Sequence, residues 1–333
     1  MGSDNMTNRR DFLRTAAVGA AVLGAEGKIA LAKAAPDTGK SKVVLATDQD
    51  LRGQGALPDE QRVLKLLDRA MLAYGGHSAD SWRRFVHSGE KVSIKVNTIA
   101  GKGMSTHVPL VLAICERLQQ AGVKAGDIII WDRTNHELER AGYTISTDPN
   151  RVRCFGTDMA GIGYEEVPEN FGSVSVKLSK ILTRNCDVMI NVPLLKDHEG
   201  AGVTLAMKNM YGVVEKPNAL HGGGCNPAVA DLNMVSTIRQ KMRLTVLDAM
   251  TGLYNGGPGF RPEYTWPHNS LLIAQDRVAL DYTGWQIIEK KRAEKGLKTL
   301  ADVGRPPAYI STAADAQHKL GTNDPRQISL MEA

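Results

Sequence analysis

Residues 91–97 read Lys91-Val92-Ser93-Ile94-Lys95-Val96-Asn97, an alternation of apolar and polar side chains with period two. The next segment, Val108 to Ala121, carries apolar residues at helical spacing and stops at Gly122. Then comes Asp127-Ile128-Ile129-Ile130-Trp131-Asp132, a short apolar run between two aspartates. Period two predicts a strand, and the helical pattern closed by glycine predicts a helix. A run apolar on both faces predicts a strand covered from both sides. Strand, helix and strand in this order form a βαβ unit, whose strands pair in parallel.

The same pattern extends outward. Lys42 to Ala46 reads as a strand, and Asp59 to Leu72 as a helix burying Val63, Leu66, Leu67, Ala70 and Met71. A helix near His136 to Gly142 and strands at Val152–Phe155, Val174–Leu182 and Cys186–Val192 follow. Helices start at Gly202 and Pro227, strands lie at Arg243–Leu247 and Leu271–Ala274, and Val278–Lys291 is a helix. The expected fold is α/β: a parallel or mixed sheet with helices on both faces, in three layers. Residues 42–333 are expected to form a single large domain, with a division into two lobes near 150–185 as the alternative. In such sheets ligands bind beyond the carboxyl ends of the strands. Asn97, Asp132, Asp248 and Asp276 stand at those ends. Asp276, directly before a helix, reads best as its N-cap.

Composition removes whole classes. The chain has 333 residues, 42% hydrophobic and 23% charged, with four cysteines and a formal charge of +5. These fractions exclude disorder and coiled coil, and four scattered cysteines exclude a disulfide scaffold. Pairing of one or two disulfides stays open. No Cys-x-x-Cys pair exists, so an iron–sulfur cluster is not expected.

Part of the charge belongs to an address. Arg9-Arg10-Asp11-Phe12-Leu13 precedes a mild apolar run, Ala16 to Ala25, and small-x-small sites at Ala30 to Ala34. This order resembles a twin-arginine (Tat) signal peptide over residues 1–34, followed by a polar linker at 35–41. It implies the Tat export machinery as a partner and a periplasmic or exported location. Without the leader the balance is 36 basic to 33 acidic residues. So nearly neutral a body gives no support to nucleic-acid binding. No later run of about 18 apolar residues occurs, so no stable membrane span is expected.

Three segments carry candidate chemistry. In the stretch Asn191 to Gly212, an apolar strand runs into a charged turn that carries Lys196 and His198, then glycines, then the helix expected from Gly202. Free N–H groups at that helix start, beside Lys196 and His198, would suit a carboxylate or phosphate. Thr204 and Lys208, four residues apart, would share a helix face. The second segment, His221-Gly222-Gly223-Gly224-Cys225, lets the backbone approach a ligand or move. In the third, Gly101 to His107, Ser105 or Thr106 is expected to cap the Val108 helix, with His107 at the rim. His107, His198 and His221, with a carboxylate from Asp132, Asp231 or Asp248, form a candidate metal-ligand set for a divalent ion. No Gly-x-Ser-x-Gly elbow or Gly-x-Gly-x-x-Gly fingerprint is present, which speaks against a serine hydrolase and a dinucleotide enzyme.

Together, Lys95-Val96-Asn97, Ser105-Thr106-His107, Pro193 to Lys196 with His198, Thr204-Leu205-Ala206-Met207-Lys208-Asn209 with Gly212, His221 and Asp231-Leu232-Asn233 resemble the domain of unknown function 362 family. The similarity runs from about Lys91 to Gly304. His107, Lys196, His198, Lys208, Asn209, His221 and Asp231 match its pattern. The resemblance implies an α/β domain that sometimes accompanies ferredoxin-like segments, whose cysteine motifs are missing here. The expected function is binding of an anionic small molecule, with or without a metal, and action on it. Lys196, His198 and Lys208 would carry the chemistry, and Asn97, Ser105, Thr204, Asn209 and Asp231 would bind the ligand. The alternative is a non-catalytic periplasmic accessory protein that delivers a metal or cofactor. The cofactor and the reaction are left open.

Overall fold

The computed structural model describes residues 39–75 and 78–333, and strand β1 (Ser41–Thr47) is the first element among them. The signal peptide expected at 1–34 and linker residues 35–38 fall outside the described residues. After β1 come α1 (Glu60–Gly75), α2 (Ser78–Arg83), β2 (Val92–Lys95), α3 (Val108–Gln120), β3 (Ile128–Trp131), α4 (Asn135–Ala141) and β4 (Arg153–Cys154). A hairpin of β5 (Glu169–Phe171) and β6 (Val174–Val176) precedes α5 (Lys180–Arg184). The central part holds β7 (Val188–Asn191), β8 (Leu194–His198), β9 (Gly202–Thr204), α6 (Ala228–Met234) and α7 (Ser236–Lys241). The chain ends with β10 (Met242–Leu253), β11 (Thr265–Ala274), α8 (Arg277–Glu294), α9 (Tyr309–Ala314) and β12 (Ile328–Glu332).

Ten strands form one mixed sheet, ordered β12-β1-β11-β10-β7-β2-β3-β4, with β8 on β10 and β9 on β8. The pairs β10–β7, β7–β2, β2–β3 and β3–β4 are parallel, which is the βαβ half. The pairs β10–β11, β11–β1 and β8–β9 are antiparallel. Successive strand side chains point to opposite faces. Accordingly Ile128 and Ile130 join one apolar layer with α1 and α3, while Ile129 and Trp131 join the other with α6, α8 and α9. This is the three-layer α/β architecture. Asp276 does cap α8, accepting from the N–H groups of Val278 and Ala279. All four cysteines are buried and free.

Three local expectations are corrected. No helix starts at Gly202: residues 202–204 are β9, and a short 3₁₀ helix, Lys208–Val213, follows. Two facts explain this. β9 pairs with β8, and the buried Asp281 carboxylate accepts from the N–H groups of Ala206 (2.7 Å) and Met207 (3.1 Å). Those N–H groups are therefore not available to a ligand. Lys196 and His198, read as turn residues, lie within β8. Neither Ser105 nor Thr106 caps α3. His107 is its N-cap, and Asp248 from β10 accepts the His107 N–H at 2.8 Å.

Candidate functional site

Lys95 ends β2, a strand buried on both faces, so its ammonium cannot reach water. It donates to Asp132 Oδ1 at 2.7 Å and to the Val96 carbonyl. The other Asp132 oxygen accepts from the N–H and hydroxyl of Thr98. This pair is fully satisfied, as a buried ion pair must be. Gly212 packs on it so closely that a Cβ there would lie 2.6 Å from Lys95 Nζ and 3.0 Å from Asp132 Oδ1.

Alternation along β8 sends Asp197 to one side and Lys196 and His198 to the other. Asp197 Oδ1 accepts from the Gly257 N–H at 2.9 Å, and Arg305 pairs with Oδ2 at 2.9 Å. Lys196 is wholly buried and among the described residues meets only neutral oxygens, Asn97 Oδ1 at 3.1 Å and the Pro258 carbonyl at 3.4 Å. Behind it runs a one-way chain of amides: Asn97 donates to Asn209, Asn209 to Asn191, and Asn191 to the Ala206 carbonyl. Lys208 approaches from the 3₁₀ helix, 3.2 Å from His221 Nε2 and 3.5 Å from the centroid of the Tyr211 ring. Among the described residues no carboxylate pairs with Lys196 or Lys208.

The imidazole tautomers follow from their partners. His198 Nδ1 accepts two backbone N–H groups, from Gly200 (3.0 Å) and Ala201 (3.1 Å). The proton of the neutral ring therefore sits on Nε2, which is a donor. His221 Nδ1 faces the Pro217 carbonyl at 3.0 Å and donates to it, leaving Nε2 to accept from Lys208. The two rings stack, with centroids 5.7 Å apart. Burial, then Lys208 and His221 nearby, pushes His198 down to about 3. Burial also pulls Lys196 down to about 7, with Lys208 and Lys95 adding to it and Asp132 opposing, and Lys208 down to about 8. Opposite Lys196 across the β8–β9 ladder stands Thr204, whose side chain shares its face. The Thr204 hydroxyl is buried without a hydrogen-bond partner among the described residues.

The structure thus gathers Asn97, Lys196, His198, Thr204, Lys208, Asn209 and His221 near the carboxyl ends of β2 and β7. The other sequence candidates are engaged elsewhere. Ser105 Oγ donates to the Gly101 carbonyl at 2.7 Å. One Asp231 oxygen accepts from Ser173 Oγ at 2.6 Å and the other faces His318 Nε2 at 2.8 Å. His107 Nδ1 lies 2.8 Å from Asp248 Oδ2. Among the described residues no group of three His, Cys, Asp or Glu side chains could hold a metal, so His107, His198 and His221 do not form a ligand set. Sequence reasoning gave no role to Lys95, Asp281, Asn191 or Tyr211. No local signal marked Lys95, because period two places it on the polar face of its strand, and only the fold buries that face.

His221 is exposed, whereas the Lys196 end of the site is closed over. Its cover is the loop between β10 and β11, where Gly257 rests on β8 so tightly that a Cβ would fall 1.8 Å from the Asp197 carbonyl oxygen. Shallow surface concavities lie elsewhere, at Leu45, Thr47 and Ala333 and at Phe171, Met234 and Gln240.

The family model described as a domain of unknown function (DUF362) matches residues 92–286. A thylakoid-associated protein of Synechocystis is 26% identical over 253 residues, covering 72% of this chain and 70% of its own length. A crystal structure of a Thermotoga maritima protein is 12% identical with a TM-score of 0.45 and covers 73% of this chain. The chain spans 60% of that structure's length. No helix among the described residues is long and apolar enough to cross a membrane.

Proposed function

The chain belongs to the domain of unknown function 362 (DUF362) family, and from that premise we propose that it binds an anionic small molecule between Lys196 and Lys208 and acts on it. One observation carries the reading: two buried lysine amines stand together with no carboxylate partner among the described residues. A buried ammonium without a counter-charge is costly. An anion supplied by the ligand removes that cost. Thr204 and the Nε2–H of His198 add donors, and the Asn97–Asn209–Asn191 chain fixes the floor. The β10–β11 loop would have to open and reclose, which excludes water once the ligand is seated. The leader sequence supports an exported, periplasmic protein, and fractionation of cells carrying the full chain against an Arg9→Lys, Arg10→Lys variant tests that part.

The direct test is thermal stability in the presence of inorganic phosphate and small mono- and dicarboxylates, with chloride at equal ionic strength as control. At least one anion is expected to raise the midpoint, and Lys208→Met to abolish the rise. A panel in which every anion behaves like chloride would sink the proposal.

A further inference from the structure

A lysine that only holds an anion works best charged, on or near the surface. Lys196 is placed otherwise. It is wholly buried, and both of its contacts are neutral oxygens. The nearby carboxylate, Asp132, is already bonded to Lys95. Lys95 and Lys208 both lie within electrostatic reach and oppose a third positive charge. Lys208 differs: the Tyr211 ring face at 3.5 Å and the His221 lone pair favour its ammonium form.

We propose that Lys196 is a nucleophile that forms an imine with a small carbonyl compound carrying an anionic group, a 2-oxo acid or aldehyde acid, whose carboxylate is held by Lys208. This rests on the anion-binding reading above and adds the substrate class. In the step, the Nζ lone pair attacks the carbonyl carbon and the carbonyl oxygen takes a proton, giving a carbinolamine. Nζ then loses its protons, the hydroxyl leaves as water, and C=N replaces C=O. No oxidant or reductant is consumed. The unpartnered Thr204 hydroxyl, across the ladder from Lys196, is a donor for the oxygen that develops charge. The downward pull on Lys196 to about 7 leaves a large neutral fraction at physiological pH.

The test is reductive trapping with glyoxylate and cyanoborohydride at pH 7, followed by peptide mapping, with exposed Lys102 as internal reference. Lys196 is expected to label at least roughly tenfold faster than Lys102, since an amine titrating near 7 has a neutral fraction roughly a thousandfold above that of an ordinary lysine, partly offset by its lower basicity. Inorganic phosphate should slow it, Lys208→Met should slow it, and Lys196→Arg should remove the mapped adduct. Labelling of Lys196 no faster than Lys102, in protein that phosphate or glyoxylate stabilises against heat, overturns the imine and leaves the anion site standing. Fast labelling of Lys196 without thermal stabilisation by any anion supports the nucleophile and overturns the anion reading.

Discussion

Replacing Lys196 by Met should make the protein more stable, and the gain should depend on pH. Lysine ordinarily titrates at 10.5, and burial brings Lys196 to about 7. At about 1.4 kcal/mol per pH unit the charged form costs the fold on the order of 5 kcal/mol. The sign is that of a depressed base. Below pH 7 both folded and unfolded chains hold the proton, and the full cost applies. Between about 7 and 10.5 the unfolded chain binds more protons, so the wild type gains stability as pH rises. Above 10.5 the cost is gone. Methionine fills similar volume without charge. It leaves Asn97 Oδ1 without its Lys196 donor, a loss of about 1–3 kcal/mol. The net gain at pH 6 is then about 2–4 kcal/mol, or roughly 5 °C in midpoint. Urea denaturation of both proteins at pH 6 and pH 9.5 checks it, with the difference shrinking or reversing at the higher pH. A variant that is equally destabilised at both values would refute the claim that an unpaired buried ammonium sits at this position.

Other consequences are as specific. Gly212→Ala drives a methyl between Lys95 and Asp132 and should cost about 3 kcal/mol, the scale of breaking a buried ion pair, measured as a lowered urea midpoint. Asp281→Ala strips the acceptor from the Ala206 and Met207 N–H groups; it should cost about 2–4 kcal/mol and weaken phosphate binding through displaced Lys208, by calorimetry. Anion affinity should fall as pH rises through 7 to 8, where Lys196 and Lys208 lose their protons, with no break near 6, since His198 stays neutral down to about 3. A break near 6 that vanishes in His198→Gln would contradict the Nε2–H assignment. For that same variant the affinity loss should be about tenfold, the worth of one hydrogen bond to a charged group.

Much of this protein was legible from local pattern. The βαβ unit at 91–132 required only periodicity, because a strand buried on both faces and a helix with one apolar stripe leave different signatures within a few residues. Asp276 as a cap needed only its position before an apolar helix. The lysine–histidine segment was visible as a polar interruption of apolar sequence. Its conformation was not. Lys196-Asp197-His198 reads as a turn, yet it is a strand because β10 and β9 pair with it, and Arg305, 108 residues away, meets the buried Asp197. Residues 202–207 read as helix, yet Asp281, 75 residues beyond Ala206, takes the N–H groups a helix would have used.

The sequence by itself determined the α/β class, the placement of most strands and helices, and which segments bear the unusual charges, since each follows from side-chain periodicity and composition. Only the tertiary structure decided which charges are paired. It gave Asp132 to Lys95, Asp248 to His107 and Asp231 to Ser173 and His318. Lys196 and Lys208 were thereby left without a carboxylate among the described residues. Pairing is a matter of distance between residues far apart in the chain, and distance is set by packing, which no local pattern encodes.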